Sequence, residues 1–162
     1  MNKIIIFDTT LRDGEETAGV IFSQAEKMTI ATMLNEIGVD EIEAGIPAIG
    51  GEEKKAIKSI VAARLSARVI GWNRAVISDI DASIECGLDA VCISVPTSDL
   101  HIKYKLGKNK KWVLSNLART IDYARTNGLH VVASGEDASR ADSIFLLELI
   151  RVAKDAGANR FR

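Results

Sequence analysis

Long hydrophobic runs are missing from this 162-residue chain. The longest apolar stretches, Ile4 to Phe7 and Ala90 to Val95, have the length of β-strands. They fall far short of the roughly 20 residues that a membrane-crossing helix needs. Excess charge is missing too: 21 basic residues stand against 22 acidic ones, a formal charge of −1. No long basic run stands out, which leaves no footprint for nucleic acid or an anionic membrane surface. Cysteine is scarce. Cys86 and Cys92 have no metal-type spacing, and they read as small core residues of a protein kept in a reducing compartment. Met1-Asn2-Lys3 leads straight into a strand-like segment without a signal-peptide pattern. Neither a linker nor a low-complexity segment follows. The expectation is a globular, cytoplasmic protein, long enough to bury a core.

What the chain does have is alternation. Ile4-Ile5-Ile6-Phe7 reads as a strand buried on both faces, as in a parallel sheet. Ser23-Gln24-Ala25-Glu26 fits a capping box, and the helix it opens carries Met28, Ala31, Leu34 and Ile37 before stopping at Gly38. Strands at 40–44, 68–72, 90–95 and 131–134 then alternate with helices at 52–65, 79–85, 111–126 and 140–156. A short pattern recurs at Gly38-Val39-Asp40, Gly87-Leu88-Asp89, Gly128-Leu129-His130 and Gly157-Ala158-Asn159. Each is a glycine ending a helix, then an apolar residue, a polar one and the start of a strand. Glycine supplies the left-handed position after the helix, and the apolar residue packs back on it. Repeated βα units predict a parallel sheet with right-handed crossovers. Periodicity alone leaves barrel and doubly wound versions open.

Phe161-Arg162 falls where a sixth strand begins, with no helix after it. A complete (β/α)8 barrel takes about 250 residues. The expectation is therefore about five βα units and the start of a sixth strand, a fragment or one part of a split enzyme. Its open sheet edges predict pairing with a second chain or with itself.

Chemistry concentrates after the first strand, in Asp8-Thr9-Thr10-Leu11-Arg12-Asp13-Gly14-Glu15-Glu16. Parallel α/β folds place their sites beyond the carboxyl ends of strands. A carboxylate such as Asp13 suits a hard divalent cation, and a neighbouring arginine holds an anionic oxygen with two prongs. Gly14 is read as permitting a sharp turn. On composition alone, a solvated loop of mutually paired charges is the favoured reading.

The Asp8-to-Glu15 segment resembles the signature of the DRE-TIM metallolyases: isopropylmalate, citramalate and homocitrate synthases and related lyases. Glu43-Ala44-Gly45-Ile46-Pro47, the segment from Ser98 to Leu106, and Ser134-Gly135-Glu136-Asp137-Ala138-Ser139-Arg140 resemble that family's later motifs, so the likeness runs through the chain. It implies a partial TIM (β/α)8 barrel, with residues 1–162 the N-terminal part of one catalytic domain. It also implies condensation of acetyl-CoA with a 2-oxo acid at a divalent metal ion, whether magnesium, manganese or zinc. Arg12 would bind the 2-oxo acid and stabilise the oxyanion formed from its ketone, where fixed positive charge lowers a barrier most. Asp13 would ligate the metal, which acts as a Lewis acid. Glu136 would be catalytic, Glu43 would help to organise the arginine or the metal shell, and Glu16, Asn73, Arg74 and Ser134 would contact substrate. His101 is read as either an exposed loop residue or a substrate contact, Trp72 as a possible pocket wall, Trp112 as a helix packing residue, and His130 as without a role. The family's two metal-binding histidines come from a His-x-His that this chain lacks, so a C-terminal half is the implied partner, in a homo- or hetero-oligomer.

Two departures bear on substrate. Glu16 stands where the family usually has glutamine, and a second carboxylate beside an anionic substrate weakens binding unless it is protonated or paired. Val132 stands where lysine-pathway homocitrate synthases carry an arginine. Thr17-Ala18-Gly19-Val20-Ile21-Phe22 resembles instead the homocitrate synthases of nitrogen fixation. The expected substrate is 2-oxoglutarate, with isopropylmalate or citramalate synthesis as the alternative and a non-catalytic half-barrel module as the reading from another class.

Overall fold

The computed structural model describes residues 4–162, so the Met1-Asn2-Lys3 start lies outside the described residues. Strands and helices alternate: β1 (Phe7–Asp8), α1 (Gln24–Glu36), β2 (Glu41–Gly45), α2 (Gly51–Ala62), β3 (Arg68–Arg74), α3 (Ile77–Glu85), β4 (Ala90–Pro96), α4 (Lys110–Thr126), β5 (His130–Glu136), α5 (Ser143–Asp155) and β6 (Arg160–Phe161). The six strands follow one another in the sheet in chain order. That is the order of a barrel; in a doubly wound sheet the order reverses at a switch point.

The recurring glycine loops explain the regular spacing. At Gly38, Gly87, Gly128 and Gly157 φ lies between 77° and 94°. Each glycine amide donates to the carbonyl three residues back, and the next amide to the one five back, as in Val39 to Leu34 and Leu129 to Ala124. This is the Schellman closure, which only a left-handed residue permits.

The chain forms two compact units. The first takes in the chain up to Trp72 together with Ser78–Ala90. In it β1 pairs with β2 in parallel, Phe7 opposite Glu41, and β2 with β3, Ile42 opposite Val69. Its core joins Leu11, Ala31, Ile42, Ile57, Ile60, Val69 and Leu88. The capping box forms as the sequence predicts: Ser23 Oγ accepts from the Glu26 amide while the Glu26 carboxylate accepts from the Ser23 amide. The register of β2 shifts between Glu43 and Gly45, and such an irregularity at a strand end re-aims side chains. Gly45 has φ 143°, a conformation that residues with a side chain rarely adopt, and a Cβ there would collide with Glu53 Oε1, so glycine is required.

The second unit is Asn73–Ile77 with Val91–Arg162. Val91, Ile93, Val113, Leu117, Ile121, Val131, Ala133, Phe145 and Leu149 are buried in it. Asn109 caps α4 by accepting from the Trp112 amide, and Asp142 caps α5 by accepting from Phe145.

Three expectations need correction. β1 is confined to Phe7–Asp8, and Ile4, Ile5 and Ile6 are exposed. The last helix begins at Ser143, not near residue 140, because Ala138–Arg140 is a separate 3-10 turn and Asp142 sets the cap. Trp112 is not a packing residue: it is 38% exposed, and α4 buries Val113, Asn116 and Leu117 instead. Among the described residues no helix is long and apolar enough to cross a membrane.

Candidate active site

The loop after β1 is organised by backbone before side chains enter. The Thr9 carbonyl accepts from the amides of Arg12, Asp13 and Gly14, closing a single π-helical turn over Thr10–Gly14. Asp8, ending β1, steadies its start by accepting from the Thr10 amide and hydroxyl at 2.9 and 3.1 Å. Leu11 is wholly buried and pins the turn to the core. Its neighbour Arg12 is consequently directed toward Glu43.

Arg12 Nε donates to Glu43 Oε2 at 2.7 Å, and Nη1 to Asp13 Oδ1 at 2.7 Å. Glu16 Oε2 lies 3.8 Å from Nη1, and the guanidinium sits over the Trp72 ring, 5.9 Å from its centroid. Burial by itself would make the guanidinium easier to deprotonate, but the charge and hydrogen bond of Glu43, with Asp13 and Glu16, outweigh it and raise the pKa above the ordinary arginine value. Glu43 is fully buried. A buried carboxylate paired to a planar cation fixes direction as well as charge. The Glu16 carboxylate, a concern on sequence, is also turned toward this cation.

In the second unit the cluster follows β4 and β5. Thr97, just past β4, donates from its amide and hydroxyl to the Glu136 carbonyl at 3.0 and 2.6 Å. The Glu136 carboxylate accepts from Lys105 Nζ at 2.7 and 2.9 Å and lies 3.0 Å from His101 Nδ1. Asp137 takes the Ser98 hydroxyl at 2.5 Å and Arg140 Nε at 2.7 Å, and these two bonds hold its carboxyl below the usual aspartate range. His101 is thus not a free loop histidine, for it stands beside two carboxylates. Ser134 is buried in β5. Asn73 is buried too, and its amide donates to the Cys92 carbonyl at 3.3 Å, while Arg74 is exposed. Cys86 and Cys92 are buried and form no disulfide, and burial pushes the Cys86 thiol up.

The sequence pattern singled out Arg12, Asp13 and Glu43. It missed Lys105 as the partner of Glu136, since the intervening residues hide that contact, and it did not join Trp72 to Arg12.

The HMGL-like family profile matches residues 3–162. The chain belongs to the HMGL-like family. It is 51% identical over 159 residues to 2-isopropylmalate synthase 2 of Caldanaerobacter subterraneus, covering 98% of this chain and 41% of that protein. It is 50% identical to the homocitrate synthase subunit alpha of Clostridium pasteurianum, covering 98% of this chain and 59% of that protein. A Bacillus subtilis HMG-CoA lyase crystal structure superposes with TM-score 0.82 at 18% identity, covering 98% of this chain and 57% of the lyase. That likeness shows the fold, six parallel strands that match part of the lyase TIM barrel. The chain spans about half the length of these relatives, from 41% to 59%.

The HMGL-like family is metal-dependent. Asp13 offers an exposed carboxylate with one oxygen on Arg12. Among the described residues no group of three or more histidine, cysteine or acidic side chains is arranged to hold a metal ion. These residues therefore do not form a metal site by themselves.

Proposed function

We propose that residues 1–162 are the N-terminal part of a single TIM-barrel catalytic domain that condenses acetyl-CoA with a 2-oxo acid. The observation that carries this is the Arg12 guanidinium, oriented by buried Glu43 and lying over Trp72. In a Claisen-type condensation the thioester loses an α-proton, its carbanion carbon attacks the ketone, and hydrolysis of the thioester releases CoA. Negative charge grows on the ketone oxygen during attack. A cation already fixed in place meets that charge without reorganising. Arg12 takes this role, with Glu43 as its orienting partner and Glu16 as a neighbour that lowers its net charge. Asp13 is proposed as one ligand of a divalent ion whose other ligands come from a C-terminal half carrying His-x-His. In the second unit Glu136 is proposed as catalytic, and Ser134, Asn73 and Arg74 as substrate contacts. Asn73 is the weakest of these, because its amide already serves Cys92.

2-Oxoglutarate is the proposed acceptor, giving homocitrate, on the resemblance of Thr17 to Phe22 to nitrogen-fixation enzymes. The near-equal identities to an isopropylmalate synthase and a homocitrate synthase subunit keep 2-oxoisovalerate as an alternative, and a 48% identity to a putative (R)-citramalate synthase of Methanosphaerula palustris keeps pyruvate as another. A relative named subunit alpha supports a heteromeric assembly. A cytoplasmic location goes with this reading. The second reading is a non-catalytic assembly module.

The test combines the chain with a His-x-His-bearing C-terminal half, divalent metal, acetyl-CoA and each 2-oxo acid in turn, and assays CoA release. Release that needs both halves and is fastest with 2-oxoglutarate is the expected result. No release with any acceptor would leave the assembly module standing.

A further inference from the structure

The first unit holds a buried lysine that the reaction above does not use. Lys27, on α1, is 2% exposed. Its ammonium lies 2.5 Å from Glu15 Oε2 and pairs as closely with Glu53 Oε2. Each carboxylate is fastened at its other oxygen to the main chain: Glu15 Oε1 accepts from the Phe22 amide at 3.0 Å, and Glu53 Oε1 from the Ile46 amide at 2.9 Å. Glu15 follows the π-helical turn, with only Asp13 and Gly14 between it and Arg12. Ile46 follows β2, with only Ala44 and Gly45 between it and Glu43. Lys27 thus grips, through one carboxylate each, the two segments that carry the two partners of the Arg12–Glu43 pair. The required glycine at position 45 leaves the room in which the Glu53 carboxylate sits.

We propose that Lys27 is a positioning residue that sets the approach of Arg12 to Glu43, a role that rests on Arg12 acting in the condensation proposed above. The side chain touches no reacting atom. It acts by locking the β1 loop to the end of β2 through a cation that bridges two carboxylates. A bridge of opposite charges in a buried place holds direction better than neutral contacts do.

Trp72 reports on this without any enzymatic assay, because its ring lies under the guanidinium. In a Trp112→Phe background it is the only tryptophan, since the chain has two. The purified chain is compared with two variants in that background, Lys27→Met and the charge-balanced triple Lys27→Met, Glu15→Gln, Glu53→Gln. Far-UV circular dichroism and urea midpoints read folding, and Trp72 emission and acrylamide quenching read the Arg12 contact. The triple variant avoids two unpaired, part-buried carboxylates, so it is expected to fold even where Lys27→Met does not. The expected result is a folded triple variant whose Trp72 is quenched at least twofold more efficiently than in the parent. An Arg12→Met control should reproduce that change. A folded triple variant with parental Trp72 emission and quenching would overturn the proposal, leaving Lys27 a charge-balancing residue of the core. This readout is independent of catalysis. Failure of CoA release in the assembled enzyme, with the Trp72 change intact, would count against the condensation and not against the brace.

Discussion

The Arg12–Glu43 pair of the first unit and the Lys105–Glu136 pair of the second use similar chemistry in opposite surroundings. The side chains of the former are 11% and 0% exposed, those of the latter 59% and 31%. Water competes with the second pair and screens it, so it contributes little and rearranges cheaply. The first pair has given up its water, and breaking one side strands the other. A cation meant to meet charge developing in a reaction gains from being fixed beforehand. A solvated carboxylate between a lysine and a histidine is better suited to changing partners.

The sharpest way to break this contrast is to cut each pair once. Glu43→Ala leaves a buried guanidinium without its main partner, and the expected loss is about 3–5 kcal/mol of stability. Glu136→Ala should cost no more than about 1 kcal/mol. Urea unfolding of the two purified variants measures both, and equal losses would mean that burial does not separate the pairs.

Next in size is an effect on turnover. In the assembled enzyme Arg12→Lys keeps the charge and loses the planar fork, so kcat should fall about 10²–10³-fold. Its circular dichroism should match the parent. Lys105→Arg, at the solvated pair, should stay within severalfold of the parent. A parental rate for Arg12→Lys would remove this arginine from the mechanism.

A smaller effect is expected at Asp137. Its carboxyl is held below the ordinary aspartate value by the Arg140 and Ser98 hydrogen bonds. A depressed folded-state pKa contributes stability that is present above the unfolded value, about 4, and is lost as pH falls through the folded one. Asp137→Asn removes this contribution while suiting the left-handed backbone at that position, φ 62°. The variant should be less stable than the parent at pH 6, and the difference should narrow as pH falls below about 4. Thermal unfolding across pH 3–7 measures it. A gap that stays constant from pH 6 down to pH 3 would show that the carboxylate charge is not what Ser98 and Arg140 hold.

Local signals made most of the fold legible. The capping box at Ser23 and the repeated glycine loops are decided within a few residues, and the structure forms them as read. The motif likeness then chose barrel order, which periodicity had left open. Ile4 to Ile6 misled because apolar composition says that a segment can be buried, not that a neighbour covers it. Trp112 misled for the same reason, being placed by its helix face toward water. Within the candidate site, adjacency announced Arg12 and Asp13. Lys27 with Glu15 and Glu53 could not be read, because a buried lysine is set by contacts between α1, α2 and the loop after β1. No sequence spacing encodes such a meeting.

The smallest expected effect concerns Gly14, which the sequence suggests is needed for a sharp turn. The turn is π-helical, and its closure comes from the Thr9 carbonyl gathering three amides. Gly14 is not among the glycines with positive φ. A Cβ there would meet Thr10 Cγ2 at 3.6 Å, an ordinary contact. Alanine is therefore compatible with the folded loop, and it narrows the conformations open to the unfolded chain. Such a change stabilises by about 0.4–1 kcal/mol. If the buried region is held by its side-chain ties, Gly14→Ala should shift the urea midpoint slightly upward and leave Trp72 emission unchanged. Gly45→Ala is the contrasting variant, because its Cβ would collide with Glu53. A loss of more than about 1 kcal/mol at Gly14, beyond the range for a compatible glycine replacement, would show that the loop depends on backbone freedom, and the contrast between a tied and a solvated pair would need a different cause.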